Sequence, residues 1–115
     1  MNRVLVVDDD KDILDIVKII LTGSGFKVQT HSTGINIHDA VERFNPNLIL
    51  LDINLPGKLG TDICLELKAI SPKPAVIMFS AHANEEEVLN LCSADAFIQK
   101  PFEVEHLRAT IKSHL

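Results

Sequence analysis

Leu48-Ile49-Leu50-Leu51-Asp52-Ile53-Asn54-Leu55-Pro56 is the stretch from which the fold can be read. Four aliphatic residues in succession, with no polar alternation, describe a strand buried on both faces, as in the interior of a parallel sheet. The run ends abruptly in a carboxylate, and Pro56-Gly57 then signals a turn. Open α/β folds carry their sites outside the carboxyl ends of such strands. Asp52 is therefore the candidate reactive group, and the other strands should end in groups that serve it.

Outward from this strand the chain alternates strictly. Residues 4–7 form a short apolar run ahead of Asp8. Ile13, Ile16, Val17, Ile20 and Leu21 follow at helical spacing, closed by Gly23 and Gly25. Residues 27–31 alternate in polarity and suit an edge strand. Ile37, Ala40, Val41 and Phe44 mark a second helix that stops before Pro46. After the 48–51 strand, Thr61 is the expected cap of a third helix with Ile63, Leu67 and Ile70 inward. Residues 75–79 are strand four. Asn84 followed by Glu85, Glu86 and Glu87 is a capped, dipole-favoured helix start, with Val88, Leu89, Leu91 and Cys92 as its apolar face. Residues 96–98 are strand five, and Val104, Leu107, Ile111 and Leu115 are the stripe of a last helix. Five strands alternating with five helices predict an α/β, flavodoxin-like, doubly wound (βα)5 three-layer sandwich. Its parallel five-stranded sheet is expected in the order 2-1-3-4-5.

Composition narrows the partners. The 115 residues suffice for one domain, with 46% hydrophobic and 23% charged residues, as in ordinary globular proteins. Eleven basic against sixteen acidic residues leave a net charge of −5, which disfavours direct nucleic-acid binding. Cys64 and Cys92 have neither CxxC nor metal-ligand spacing and read as free thiols of a reducing compartment. No signal peptide or membrane span is visible, the first residue is Met, and a cytoplasmic protein with a native N-terminus is expected.

The strand ends converge. In the predicted order, strand one ends in Asp8, Asp9 and Asp10, strand three in Asp52, strand four in Ser80 and strand five in Lys100-Pro101. Carboxylates crowded to about 4 Å repel by on the order of 4 kcal/mol at an effective dielectric of 20. A divalent cation relieves this, and carboxylates with a backbone carbonyl and waters suit Mg2+, with Mn2+ an alternative. Asp52 can then attack phosphorus, Lys100 neutralising the phosphoryl oxygens and Ser80 donating to one of them. Asp10 and Asp12 are better explained as helix-start acids. His82, two residues past Ser80, should lie at the mouth of the site; the other four histidines show no ligand spacing.

These residues resemble the receiver domain of two-component response regulators over essentially all 115 residues. The likeness rests on Val6-Val7-Asp8-Asp9, Leu51-Asp52-Ile53-Asn54-Leu55-Pro56-Gly57, Phe79-Ser80-Ala81 and Ala94-Asp95-Ala96-Phe97-Ile98-Gln99-Lys100-Pro101-Phe102. It implies a phosphoacceptor at Asp52, fed by a histidine kinase or histidine phosphotransfer protein, and a downstream protein target or effector domain. Mg2+ would be held by Asp9, Asp52 and the carbonyl of Asn54, with Asp8 reaching it through water. Ser80 and Lys100 would be switch hydroxyl and phosphate-binding lysine, Phe97 the switch aromatic, and Asn54 and His82 the positions that tune hydrolysis. Lys100-Pro101 would be cis. Three departures stand out: Ser80 in place of threonine, Ser93 in place of the usual glycine, and a short interval from Ser80 to Phe97. The last predicts that the fourth helix is the shortest and least stable. A flavin binder would need a Ser/Thr/Gly-rich phosphate loop after strand one, where three aspartates stand. An aspartate-nucleophile phosphohydrolase would need a second Asp at position 54, which is Asn.

Overall fold

The computed structural model describes residues 2–81 and 83–115. Among them, strands and helices alternate as β1 (Arg3–Val7), α1 (Lys11–Gly23), β2 (Lys27–His31), α2 (Ile37–Phe44), β3 (Leu48–Asp52), α3 (Gly60–Ile70), β4 (Ala75–Ser80), α4 (Glu85–Cys92), β5 (Ala96–Gln99) and α5 (Val104–Ser113). All pairings are parallel, and the sheet runs β2-β1-β3-β4-β5. This is the order expected from the sequence, with the polar β2 at an edge.

Successive residues of the central strands feed opposite cores. Leu5, Val7, Ile49, Leu51, Val76, Met78 and Phe97 pack with residues of α2, α3 and α4. Val4, Val6, Leu48, Leu50, Ile77, Phe79 and Ile98 pack with residues of α1 and α5. The continuous apolar run of β3 is thus explained: every residue from Leu48 to Asp52 is buried.

Helix starts follow local chemistry. Asp10 caps α1, its Oδ1 accepting from the amides of Asp12 (2.9 Å) and Ile13 (3.3 Å). Asn84 Oδ1 accepts from the Glu87 amide at 3.1 Å at the start of α4. Thr61 is not the cap of α3. The helix begins one residue earlier, at Gly60 behind Leu59, and Thr61 is buried inside it. The reason is a close approach: the Gly60 amide donates to Ile53 O at 2.6 Å, and a Cβ there would lie 1.9 Å from the Asp52 carbonyl oxygen.

Several residues assigned inward face solvent instead: Ile16, Ile70, Leu91, Val104 and Leu115 are 40–76% exposed. A helix lying on a sheet buries a single stripe. In α1 that stripe is Leu14, Val17 and Leu21. Helix α4 is not uniquely short, since α2 also has 8 residues. Ser93, though not glycine, forms a left-handed helix end: it adopts φ 59°, ψ 32°, and its amide donates to Leu89 O. Lys100-Pro101 is cis, as is Lys73-Pro74. Cys64 and Cys92 are free and buried, with the Cys64 thiol 3.2 Å from Cys92 O.

Candidate functional site

Strand pairing sets the geometry of the carboxyl edge. Val7 pairs with Leu51 and Asp52 with Phe79, so Asp8, Asp52 and Ser80 stand at the ends of three adjacent strands. Beyond β4, the Lys100 amide donates to Ser80 O at 2.9 Å, which brings the residue after β5 to the same rim.

Asp8 is fully buried. Its Oδ1 accepts from the Asp10 amide at 2.9 Å, and its Oδ2 is hydrogen-bonded to the Lys100 ammonium. The same ammonium lies 3.7 Å from Asp52 Oδ1. Asp52 is 7% exposed, and its Oδ1 also accepts from the Ile53 amide at 2.8 Å. Burial and, secondarily, the Asp8 charge push its carboxyl up to about 6; Lys100 and the Ile53 amide pull the other way. One carboxylate oxygen from each of Asp8, Asp9 and Asp52 can be chosen so that all lie within 4.8 Å of one another, with Asp9 exposed. Hard oxygen donors so clustered can hold a metal ion.

Ser80 is 3% exposed, one residue beyond the partner of Asp52. Asn54 is exposed, two residues past Asp52 in the β3–α3 connection. Phe97 is buried on the α3/α4 side of the sheet, in the cluster that includes Met78, Val88 and Cys92. Pro101 follows Lys100 through the cis bond. His82 lies outside the described residues. The structure thus brings together Asp8, Asp9, Asp52 and Lys100, with Ser80 on the adjoining strand.

Two residues at the site escaped the sequence reading. Gly60 buttresses the Asp52 backbone from the start of α3; a lone Gly beside Thr61 gives no signal that it opens a helix. Phe79 lies under Lys100, the ammonium 4.6 Å from its ring centroid. Phe79 stands in the quoted Phe79-Ser80-Ala81 stretch, but strand propensity alone explains a Phe there, so the sequence assigns it no role at the site.

The family model described as response regulator receiver domain matches residues 4–112. The chain belongs to that family. The DNA-binding response regulator MtrA of Mycolicibacterium paratuberculosis is 39% identical over 115 residues, covering 99% of this chain and 51% of that protein. MtrA of Mycobacterium leprae matches to the same extent. The chain therefore spans about half the length of the curated relatives it matches. A CheY-like response regulator receiver domain protein from Methanospirillum hungatei has 34% identity and a TM-score of 0.91, over 98% of this chain and 92% of that one. Chemotaxis protein CheY4 of Vibrio cholerae, at 24% identity and TM-score 0.89 over 100% and 99% of the two chains, shares the fold.

Receivers act in two-component signalling through phosphorylation of an aspartate. Among the described residues no helix is long and apolar enough to cross a membrane. The name of the MtrA relatives assigns DNA binding to those longer proteins. The expectation of no direct nucleic-acid contact is thereby narrowed to this receiver.

Proposed function

We propose that residues 1–115 form one receiver domain in which Asp52 accepts a phosphoryl group from a phosphohistidine of a histidine kinase or phosphotransfer protein. The observation that carries this is the convergence of three carboxylates and one lysine at the carboxyl edge of the sheet. In the transfer, Asp52 Oδ forms a bond to phosphorus while the P–N bond of the donor breaks, and the imidazole leaves. A carboxyl titrating at about 6 is about nine-tenths ionised at pH 7, so no general base is required. Asp8, Asp9, Asp52 and the Asn54 carbonyl are the proposed holders of Mg2+ or Mn2+, which when bound neutralises charge on the phosphoryl oxygens.

Lys100, already within 3.7 Å of Asp52, meets a phosphoryl oxygen with its ammonium. Ser80 donates its hydroxyl to another and, with Phe97, couples the modified site to the α4–β5–α5 side, changing which protein target or effector domain binds. Asn54 and His82 set the approach of the water that later hydrolyses the acyl phosphate. The activity is self-directed, with no external substrate turned over, and the proposed setting is the cytoplasm, with no membrane contact. Incubation with Mg2+ and a small acyl phosphate, read by intact mass, tests the proposal. Wild type should gain one phosphoryl group and Asp52→Asn none; equal gain by both removes Asp52 as nucleophile.

A further inference from the structure

The route taken by the Lys100 side chain carries an inference about the residue it crosses. Lys100 follows β5, whereas its carboxylate partners stand at the ends of β3 and β1. In the order β1-β3-β4-β5, two strand spacings, about 10 Å, separate β5 from β3. The lysine stem must therefore pass over β4. The β4 residue in register with Asp52 is Phe79, whose side chain is fully buried in the α1/α5 core. The ammonium lies over that ring, 4.6 Å from its centroid. Phe102, two residues past Lys100, packs against the same ring at 5.3 Å with an interplanar angle of 54°.

We infer that Phe79 is a positioning residue for Lys100, its ring face forming with Asp8 and Asp52 the seat that holds the ammonium beside the phosphoacceptor. An aromatic face attracts a cation electrostatically, and more strongly where water is excluded. The Lys100 side chain is 15% exposed and Asp8 fully buried, so this seat is largely dry. Without the ring, the ammonium is left to the two carboxylates alone and is drawn toward its nearer partner, Asp8, away from the oxygen that must meet phosphorus. The ring does what an aliphatic residue of similar size would not: it fixes a long, flexible cation without adding a charge that would compete with the incoming phosphoryl group. Phe102 in turn fixes the tilt of the ring.

The inference rests on Asp52 being the phosphoacceptor, but its contact can be tested apart from that role. In NMR spectra of the unmodified wild-type protein, side-chain methylene protons of Lys100 should be shifted upfield by the ring. The shift should persist in Phe79→Tyr, which keeps the ring, and vanish in Phe79→Leu, which keeps an apolar core residue. With acetyl phosphate as donor, Phe79→Leu should be phosphorylated about three- to thirty-fold more slowly, the range for a cation–π contact. Phe79→Tyr should recover most of the rate. Unshifted Lys100 protons in wild type, or wild-type phosphorylation of Phe79→Leu, overturn the inference. Should Phe79→Leu fail to fold, the wild-type spectrum still decides the contact. Should wild type gain no phosphoryl group while the upfield shift is present, the phosphoacceptor reading fails and the Lys100 seat stands.

Discussion

Asp52 is held in the folded chain at a cost that depends on pH, and replacing it by the isosteric neutral amide exposes that cost. Its carboxyl titrates at about 6 in the fold against 3.8 in the unfolded chain, chiefly because it is buried and because Asp8 is close. The folded state therefore binds this proton more tightly than the unfolded state. The stability contributed by the group is complete below about 3.8 and is lost as pH rises through about 6. Well above both values the loss amounts to about 3 kcal/mol, at about 1.4 kcal/mol per factor of ten. Near pH 4.5 most folded molecules are already protonated, and the same linkage leaves only about 1 kcal/mol. Asp52→Asn removes the titration. In chelator, it should be more stable than wild type by about 3 kcal/mol near pH 7.5, a rise in melting temperature of roughly 10 °C for a chain of this size. Near pH 4.5 the advantage should shrink to a few degrees. Thermal melts by circular dichroism at the two pH values measure it. Saturating Mg2+ should then stabilise wild type more than the variant, because a ligand bound only by the folded state adds stability and the amide is the poorer ligand. An equal gap at both pH values would refute the reasoning, since it would mean that the buried charge is not what strains the site.

Gly60→Ala should lower stability by about 1–3 kcal/mol and slow phosphorylation, because its Cβ would sit 1.9 Å from the Asp52 carbonyl oxygen; wild-type melting and phosphorylation would contradict this. His82→Ala should change the dephosphorylation half-life several-fold, about 1 kcal/mol in barrier, and an unchanged half-life counts against a place for His82 at the site. Helix α4 buries Val88 and Cys92 alone, whereas α3 buries five residues, so α4 amides should exchange with solvent faster. Equal protection of the two helices would reject that, and Ser93→Gly, by relieving a positive φ, should raise α4 protection by about 1 kcal/mol.

The fold was legible because each central strand carries an unbroken apolar run and each run stops at a polar residue. Strand identity, edge placement of β2 and the carboxyl-edge cluster all follow from those two features. Helix faces were less legible. Apolar residues such as Ile16 and Leu91 fit a 3.6-residue period, yet the sheet takes only one stripe, and the sequence does not mark which neighbours it excludes. Gly60 and Phe79 were illegible for a different reason. Their roles come from a backbone approach and a lysine crossing that exist only once β3, β4 and β5 lie side by side.

Ser93 shows where a sequence rule overreaches. A glycine at a helix end is favoured because it enters the left-handed region without steric cost, and its absence suggests that the turn is lost. The chain keeps the turn nonetheless. Asp95 explains why: its amide donates to Val76 O at 2.8 Å, its carboxylate accepts from the Val76 amide at 2.8 Å, and Lys68 pairs with that carboxylate at 2.5 Å. The start of β5 is thus fastened to β4 and α3 three residues after the helix ends. A penalty of about 1–2 kcal/mol for a non-glycine residue at positive φ is smaller than what several such bonds, at about 1 kcal/mol each and more where charged, can offset. Local preference at Ser93 is overruled by tertiary bonds at Asp95, and the strain is left in the connection between α4 and the strand that carries Phe97 and leads to Lys100.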